Sequence, residues 1–242
     1  MFKNKMKVMM LFALTFMLLP GCAAIQHRNL EVSAKMSETV FLNPETLESG
    51  KPIYVRVTNT SDFQEIDFGK TLKDQITLSG RTITTNPKEA AYLLQANLLY
   101  LGEEKKDMTM EGAVAGGVGG AILGVARAEG RGYGGGLTGL AIGAAGAGIG
   151  ALAGSMVHVD TYVGLVDISI KEAVEGGVTG TETASVSNGS STSKNTTRNV
   201  SDSRQEYRTR IGVKAVQTNI NREEAAKTIS GRLASQIAGY FK

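Results

Sequence analysis

The 242-residue sequence has no tryptophan, one cysteine, four prolines and two histidines, His27 and His158, that stand far apart. A lone cysteine excludes a disulfide scaffold, and two separated histidines leave little for a histidine-based metal site, so no metal and no cofactor beyond a covalent lipid is expected. The formal charge is only +3, too weak for nucleic-acid binding. Catalytic sets are missing as well. There is no Ser/His/Asp grouping, phosphate loop or metal spacing; His158, Asp160, Tyr162 and Asp167 lie close in sequence, but one histidine beside a strand is more often structural, so the chain is read as no enzyme. Gly117-Val118-Gly119-Gly120 sits inside an apolar run, whereas a dinucleotide fingerprint must follow a strand and open a helix.

What is abundant is glycine, and it is concentrated. Of 30 glycines, 17 fall between Gly112 and Gly154, among Ala, Val, Leu and Ile. The amino terminus is equally distinctive. Lys3, Lys5 and Lys7 precede an apolar run, Val8 to Leu19, interrupted only by Thr15, the length of a signal-peptide core and too short to span a membrane. It ends in Leu19-Pro20-Gly21-Cys22, which resembles a bacterial lipobox. That resemblance implies a leader over residues 1–21 and a mature chain that begins at Cys22, carrying N-acyl and S-diacylglycerol (palmitate-type) lipid. The leader's three lysines account for the whole excess of 26 Lys+Arg over 23 Asp+Glu. Several acyl chains exceed the two-signal threshold for stable anchoring, and Ala23 after the cysteine, by resemblance to the lipoprotein sorting rule, directs the chain to the outer membrane.

The polar stretch 26–37 reads as the end of a lipidated tether over residues 22–37. Ile53, Val55 and Val57 alternate with polar residues, the period of a half-buried strand. Ile66, Gly69, Leu72 and Ile76 follow helical spacing up to Gly80, and 92–101 suits a second strand, giving β-α-β. A third strand is expected at 162–171 and a further one at 207–214, with the Ser/Thr/Asn-rich 179–203 as a loop or solvated hairpin tip. Asn221 with Glu224 resembles a capping box, and Ala226, Ile229, Leu233, Ile237 and Tyr240 make one apolar stripe. The fold class expected is α+β: a periplasmic α/β sandwich-like domain in two halves, 38–107 and 158–242, with a Gly-rich membrane-embedded α-helical hairpin inserted at 108–157.

The hairpin expectation rests on spacing. Gly112, Gly116, Gly120 and Gly124 recur every fourth residue, and Gly139, Gly143, Gly146, Gly150 and Gly154 nearly so. Such small-residue stripes let helix backbones approach closely in lipid, and nothing else readily returns the roughly 1 kcal/mol that each glycine costs a helix. A flexible linker would carry Ser or charge among its glycines, while residues 112–126 hold no polar side chain; a glycine-rich helix pair buried in a soluble fold is the other reading. The arms would reach ~22 Å and ~31 Å at 1.5 Å per residue, short enough for the thin outer membrane. The charged turn between them, 127–136, would emerge at the cell surface, with Arg127, Glu129, Arg131 and Tyr133 as candidate recognition residues. One hairpin offers its glycine faces few partners, so a ring-like homo-oligomer is expected.

Arg28-Asn29-Leu30-Glu31-Val32, Met36-Ser37-Glu38-Thr39, Asn59-Thr60-Ser61-Asp62, Gln95-Ala96-Asn97, Met156-Val157, Asp160, Tyr162, Asp167 and Tyr207-Arg208-Thr209-Arg210, in that order across nearly the whole mature chain, resemble the TraT family. The resemblance implies a plasmid-encoded outer-membrane lipoprotein that mediates surface exclusion, lowering entry of related conjugative plasmids by blocking stable donor contact. It also implies complement resistance, assembly as homo-oligomers, and donor-cell pilus or mating-pair components as partners. The charged turn and the segment after Lys171 depart from the family pattern. A structural or pore-forming oligomeric envelope lipoprotein is the alternative reading; it predicts ion conductance, which exclusion does not require.

Overall fold

The computed structural model describes residues 27–105, 109–115, 159–188 and 192–242. Their elements, in chain order, are β1 (Glu31–Met36), α1 (Pro44–Glu48), β2 (Ile53–Asn59), α2 (Phe68–Leu78), β3 (Ile83–Thr84), β4 (Tyr92–Glu103), α3 (Met110–Ala115), β5 (Val159–Asn188), β6 (Thr192–Thr218) and α4 (Arg222–Gly239). The strands form one mixed sheet in the order β1-β6-β5-β4-β2-β3. The architecture is α+β.

β2, α2 and β4 make the expected β-α-β unit: β2 and β4 are parallel, with Ile53 opposite Tyr92 and Asn59 opposite Leu98. The Asp67 side chain accepts the Lys70 N–H at 2.8 Å and caps α2, satisfying one of the helix's orphan donors. Phe68, Leu72 and Ile76, spaced by one helical turn, are buried against the sheet. The helix stops at Ser79, and Gly80 takes φ +89°, a left-handed conformation that glycine adopts without a Cβ clash. Gly69 was expected on the buried stripe, and a Cβ there would lie 3.5 Å from Val57.

α4 follows its sequence signals closely. The Asn221 side chain accepts the Glu224 N–H at 2.8 Å, and Ala225, Ala226, Ile229, Leu233, Ala234, Ile237 and Ala238 are buried. With α2 it covers one face of the sheet and encloses the main core, to which Leu94, Leu98, Val166, Ile168, Ile170, Ile211 and Val213 contribute. The opposite face carries a smaller cluster: Met110, Ala113 and Val114 of α3 on Val163 and Leu165 of β5.

One feature differs from the sequence reading, and a second decides between its alternatives. The sequence pattern puts residues 31–36 in the tether, whereas they form β1 and pair antiparallel with β6, Glu31 opposite Val216 and Met36 opposite Ile211. Its burial alternates only weakly, because it is an edge strand with one neighbour and few apolar positions. Of the segment 179–203, expected as a loop or a solvated hairpin tip, the described parts are paired strand, with β5 and β6 in continuous register from Val178 opposite Asp202 to Asn188 opposite Thr192. Most of the inserted hairpin lies outside the described residues, as do residues 1–26. Among the described residues, no helix is long and apolar enough to cross a membrane.

Candidate functional site

Of the residues selected from the sequence, Cys22, eight of the nine stripe glycines and Arg127, Glu129, Arg131 and Tyr133 lie outside the described residues. Gly112 lies within α3, and its N–H donates to Thr109 Oγ1 at 3.2 Å. What the structure does place is the point where these segments join the folded domain. The Thr218 N–H donates to the His27 carbonyl at 2.8 Å, Val159 stands opposite Thr218, and the Glu104 N–H donates to the Thr161 carbonyl at 2.8 Å. Residue 27, where the amino-terminal segment enters, residue 104, just before the insertion, and residue 159, just after it, therefore meet at one end of β5. The outer β5–β6 hairpin leaves the sheet from the other end.

The neck of the insertion is held by charge. Arg210 on β6 is 1% exposed and makes a bidentate pair with Asp167 on β5, Nε to Oδ1 at 2.6 Å and Nη2 to Oδ2 at 2.9 Å. Its remaining Nη1 donates to the Ala113 carbonyl of α3 at 3.0 Å. A planar guanidinium gives the carboxylate two parallel hydrogen bonds and the carbonyl a third from one rigid fork, a geometry an ammonium does not reproduce. Nearer the opening, Lys214 Nζ lies 2.9 Å from Glu104 and 3.3 Å from Glu111, with Lys35 3.8 Å from Glu111. Glu104 also accepts the Met110 N–H at 3.1 Å, so one lysine ties the last residue before the insertion to the first turn of α3.

The electrostatics follow from this geometry. Burial works against the Lys214 ammonium, but Glu104 and Glu111 outweigh it and hold its pKa above the usual lysine value. Burial likewise opposes ionisation of Glu111, and its own backbone N–H, Lys214 and Lys35 more than offset this, lowering its pKa. Nothing in the alternation of the 207–214 strand by itself marks Arg210 as buried. The missed signal is pairwise: once β5 and β6 form a hairpin, Asp167 falls directly opposite Arg210.

Of the acid/base residues weighed from the sequence, His158 lies outside the described residues, and Tyr162 and Asp167 fall on opposite faces of the sheet. Tyr162 packs with the main core on the α4 side and donates to Glu103 at 3.4 Å, while Asp167 is on the opposite face and engaged by Arg210. Burial, then the Glu103 and Asp160 charges, raise the Tyr162 phenol pKa. A second buried carboxylate, Glu172, accepts Tyr92 Oη at 3.1 Å, Tyr207 Oη at 3.3 Å and the Asn43 N–H at 3.0 Å. These contacts fasten the chain before α1 to the sheet.

Fold and neck together define a class: a sheet-and-helix domain that gathers an amino-terminal tether and a glycine-rich insertion at one end. The family model for the enterobacterial TraT complement resistance protein matches residues 29–241. The chain belongs to the TraT family. Curated relatives include TraT complement resistance proteins of Escherichia coli, 37% identical over 103 residues covering 40% of this chain and 41% of that one, and of Wigglesworthia glossinidia brevipalpis, 38% identical over 107 residues covering 42% and 43%. The aligned part thus spans about two fifths of these relatives' length. Among solved structures, a PelC dodecamer from Paraburkholderia phytofirmans is 8% identical and covers 84% of this chain and 96% of its own, at a TM-score of 0.33. A superposition that loose has no bearing on how this chain assembles. Family membership makes the chain a non-enzymatic protein and implies an outer-membrane lipoprotein.

Proposed function

We propose that this protein is a surface-exclusion lipoprotein of the outer membrane, held there by N-acyl and S-diacylglycerol lipid on Cys22. It lowers entry of related conjugative plasmids by preventing stable contact with a donor, and it confers resistance to complement, the property for which its E. coli relatives are named. The carrying observation is the convergence of residues 27, 104 and 159 at one end of β5. A lipid anchor and a membrane-embedded insertion both have to leave the folded domain toward the same bilayer, and this end gives them a common exit. The bulk of the domain then lies on the periplasmic side, and the 127–136 turn faces outward, where Arg127, Glu129, Arg131 and Tyr133 meet pilus or mating-pair components.

In this reading the protein acts as a homo-oligomer whose glycine stripes, Gly112, Gly116, Gly120 and Gly124 against Gly139, Gly143, Gly146, Gly150 and Gly154, pack between copies. Recipients that express the protein should take up a related plasmid at a frequency at least ten times lower than recipients without it. Cys22→Ser should restore uptake and abolish incorporation of labelled palmitate. Normal uptake with the unaltered protein present in the outer membrane would refute exclusion. Exchanging residues 127–136 with those of another family member should change which donors are excluded, and unchanged preference would remove the loop from recognition. Gly116→Leu or Gly146→Leu should overpack the helix contact and dissociate the oligomer on native gels.

A further inference from the structure

The outer β5–β6 hairpin is a surface without an assigned partner. Eleven register pairs run from Val178–Asp202 to Asn188–Thr192, about 35 Å at the antiparallel rise. Pairing of β5 with β4 ends at Glu172, and pairing of β6 with β1 is confined to Ile211–Val216, so among the described residues nothing pairs with the outer edges of this ribbon. A two-stranded ribbon alone in water is marginal. Its composition is strand-forming, and of the devices that native edges use to avoid pairing it has only four charges, Glu182, Lys194, Arg198 and Asp202, and the bulge at its base. There is no proline in 178–202, and Glu182 and Arg198 are spent on each other across the ribbon at 2.7 Å. The two faces differ. Thr179, Thr181 and Thr183 stand opposite Ser201, Asn199 and Thr197, an uncharged hydroxyl and amide face, while Val178, Gly180 and Glu182 stand opposite Asp202, Val200 and Arg198 on the other.

We propose that the outer edges of this ribbon pair with the ribbons of neighbouring copies of the same chain, β5 of one copy against β6 of the next. The proposal rests on the oligomer reading above and specifies its contact. Copies anchored in one membrane point the same way, so their ribbons leave the sheets side by side in one direction. The facing strands of two neighbours are then β5 and β6, which run antiparallel. Repeating the contact around a ring closes the sheet and removes every open edge. The base of the ribbon allows the needed change of direction: four residues bulge between Ala173 and Val178, with Gly176 and Gly177 at φ +81° and +71°, and bulges bend a strand and increase its twist.

The test uses the full-length lipoprotein in its membrane. Thr181→Cys and Asn199→Cys alter exposed positions and are made as separate single variants, so no chain can bridge itself. The two variants are expressed alone and together with different tags, then treated with a short bis-maleimide. Copies that pair β5 to β6 give a cross-linked dimer in the mixture, in up to about a quarter of contacts by random mixing of a heterologous interface, and at least tenfold less with either variant alone. Cross-linking of a variant by itself would place like strands together and overturn the pairing. No cross-link in the mixture, from particles that keep an oligomeric mass in detergent, would overturn it while leaving the oligomer intact. Particles with the mass of one chain would refute the oligomer reading, and the ribbon contact with it.

Discussion

Gly164→Ala is the most demanding test of how α4 sits on the sheet. A Cβ at residue 164 would lie 2.3 Å from Ile229 Cγ2 and 3.1 Å from Leu233 Cδ1, where carbon atoms ordinarily keep roughly 3.5–4.0 Å. Ile229 and Leu233 are both fully buried. A β-branched side chain in a helix has one strongly preferred rotamer, so Ile229 cannot swing its methyl aside, and helix and strand must part by roughly 1.2 Å to reach ordinary contact. Overpacking of this kind costs about 1–3 kcal/mol. For a chain of this length each kilocalorie lowers Tm by about 2–4 °C, so a fall of about 2–12 °C is expected in thermal unfolding followed by circular dichroism on the detergent-extracted lipoprotein. Gly180→Ala is the control: no atom lies within 4 Å of its added Cβ, and the change should stay within about 0.5 kcal/mol. A cycle with Ile229→Ala, which deletes the opposing methyl, should show coupling of about 1 kcal/mol or more. A Tm for Gly164→Ala within ~1 °C of the unaltered protein would show that α4 does not pack at this depth.

Arg210→Met should destabilise the domain by about 3–5 kcal/mol, since it strands Asp167 without its cation. Arg210→Lys should recover only part of this, because an ammonium lacks the planar fork that gives Asp167 two parallel hydrogen bonds and the Ala113 carbonyl a third; equal stability of the Lys variant and the unaltered protein in denaturant melts would refute the fork. At the neck, the lowered Glu111 pKa means stabilisation that is complete above the usual glutamate value and lost as pH falls through the lower folded one. The raised Lys214 pKa means stabilisation complete below the usual lysine value of about 10.4 and lost as pH rises through the higher folded one. Amide protection factors across 109–115, with the intrinsic pH dependence of exchange divided out, should therefore be flat through neutral pH and fall at both extremes, and Glu111→Gln should abolish the acid limb; an acid limb that survives this change would assign it elsewhere.

Those elements with their own local signals were legible in the sequence. β2 shows period-two burial, α2 and α4 carry Asp67 and Asn221 as side-chain caps, and the β-α-β order is written in the alternation of these patterns. β1 was not legible because an edge strand with six residues needs little apolar surface, and its polar residues look like a tether. The outer hairpin was half legible: Ser, Thr and Asn mark solvation, but its strand state depends on pairing between 178–188 and 192–202, which no single-segment pattern reveals. Arg210 was missed for a related reason. Its burial exists only because Asp167 and Ala113, far away in sequence, complete its hydrogen bonds.

Outside the apolar block, glycine also lets helices approach the sheet at two places in the described domain. Gly164 admits Ile229 of α4 on one face of the sheet. Gly212 admits α3 on the other, where a Cβ would lie 2.7 Å from Val114 Cγ2 and 2.8 Å from Met110 Cγ. Gly164 pairs with Val213 and Leu165 with Gly212, so the two thin spots are adjacent in register and back to back. An alanine at 164 can be relieved in part by pushing the sheet toward α3, and an alanine at 212 by pushing it toward α4. Each relief uses the space that the other substitution fills. The double variant should therefore lose more stability than the two single losses added together, by at least about 0.5 kcal/mol, the upper limit for independent sites. Chemical denaturation of the four proteins in the cycle measures this directly. Simple additivity would mean that the helices yield and the sheet does not, and that strain on the α4 side is not transmitted through the sheet to the neck of the insertion.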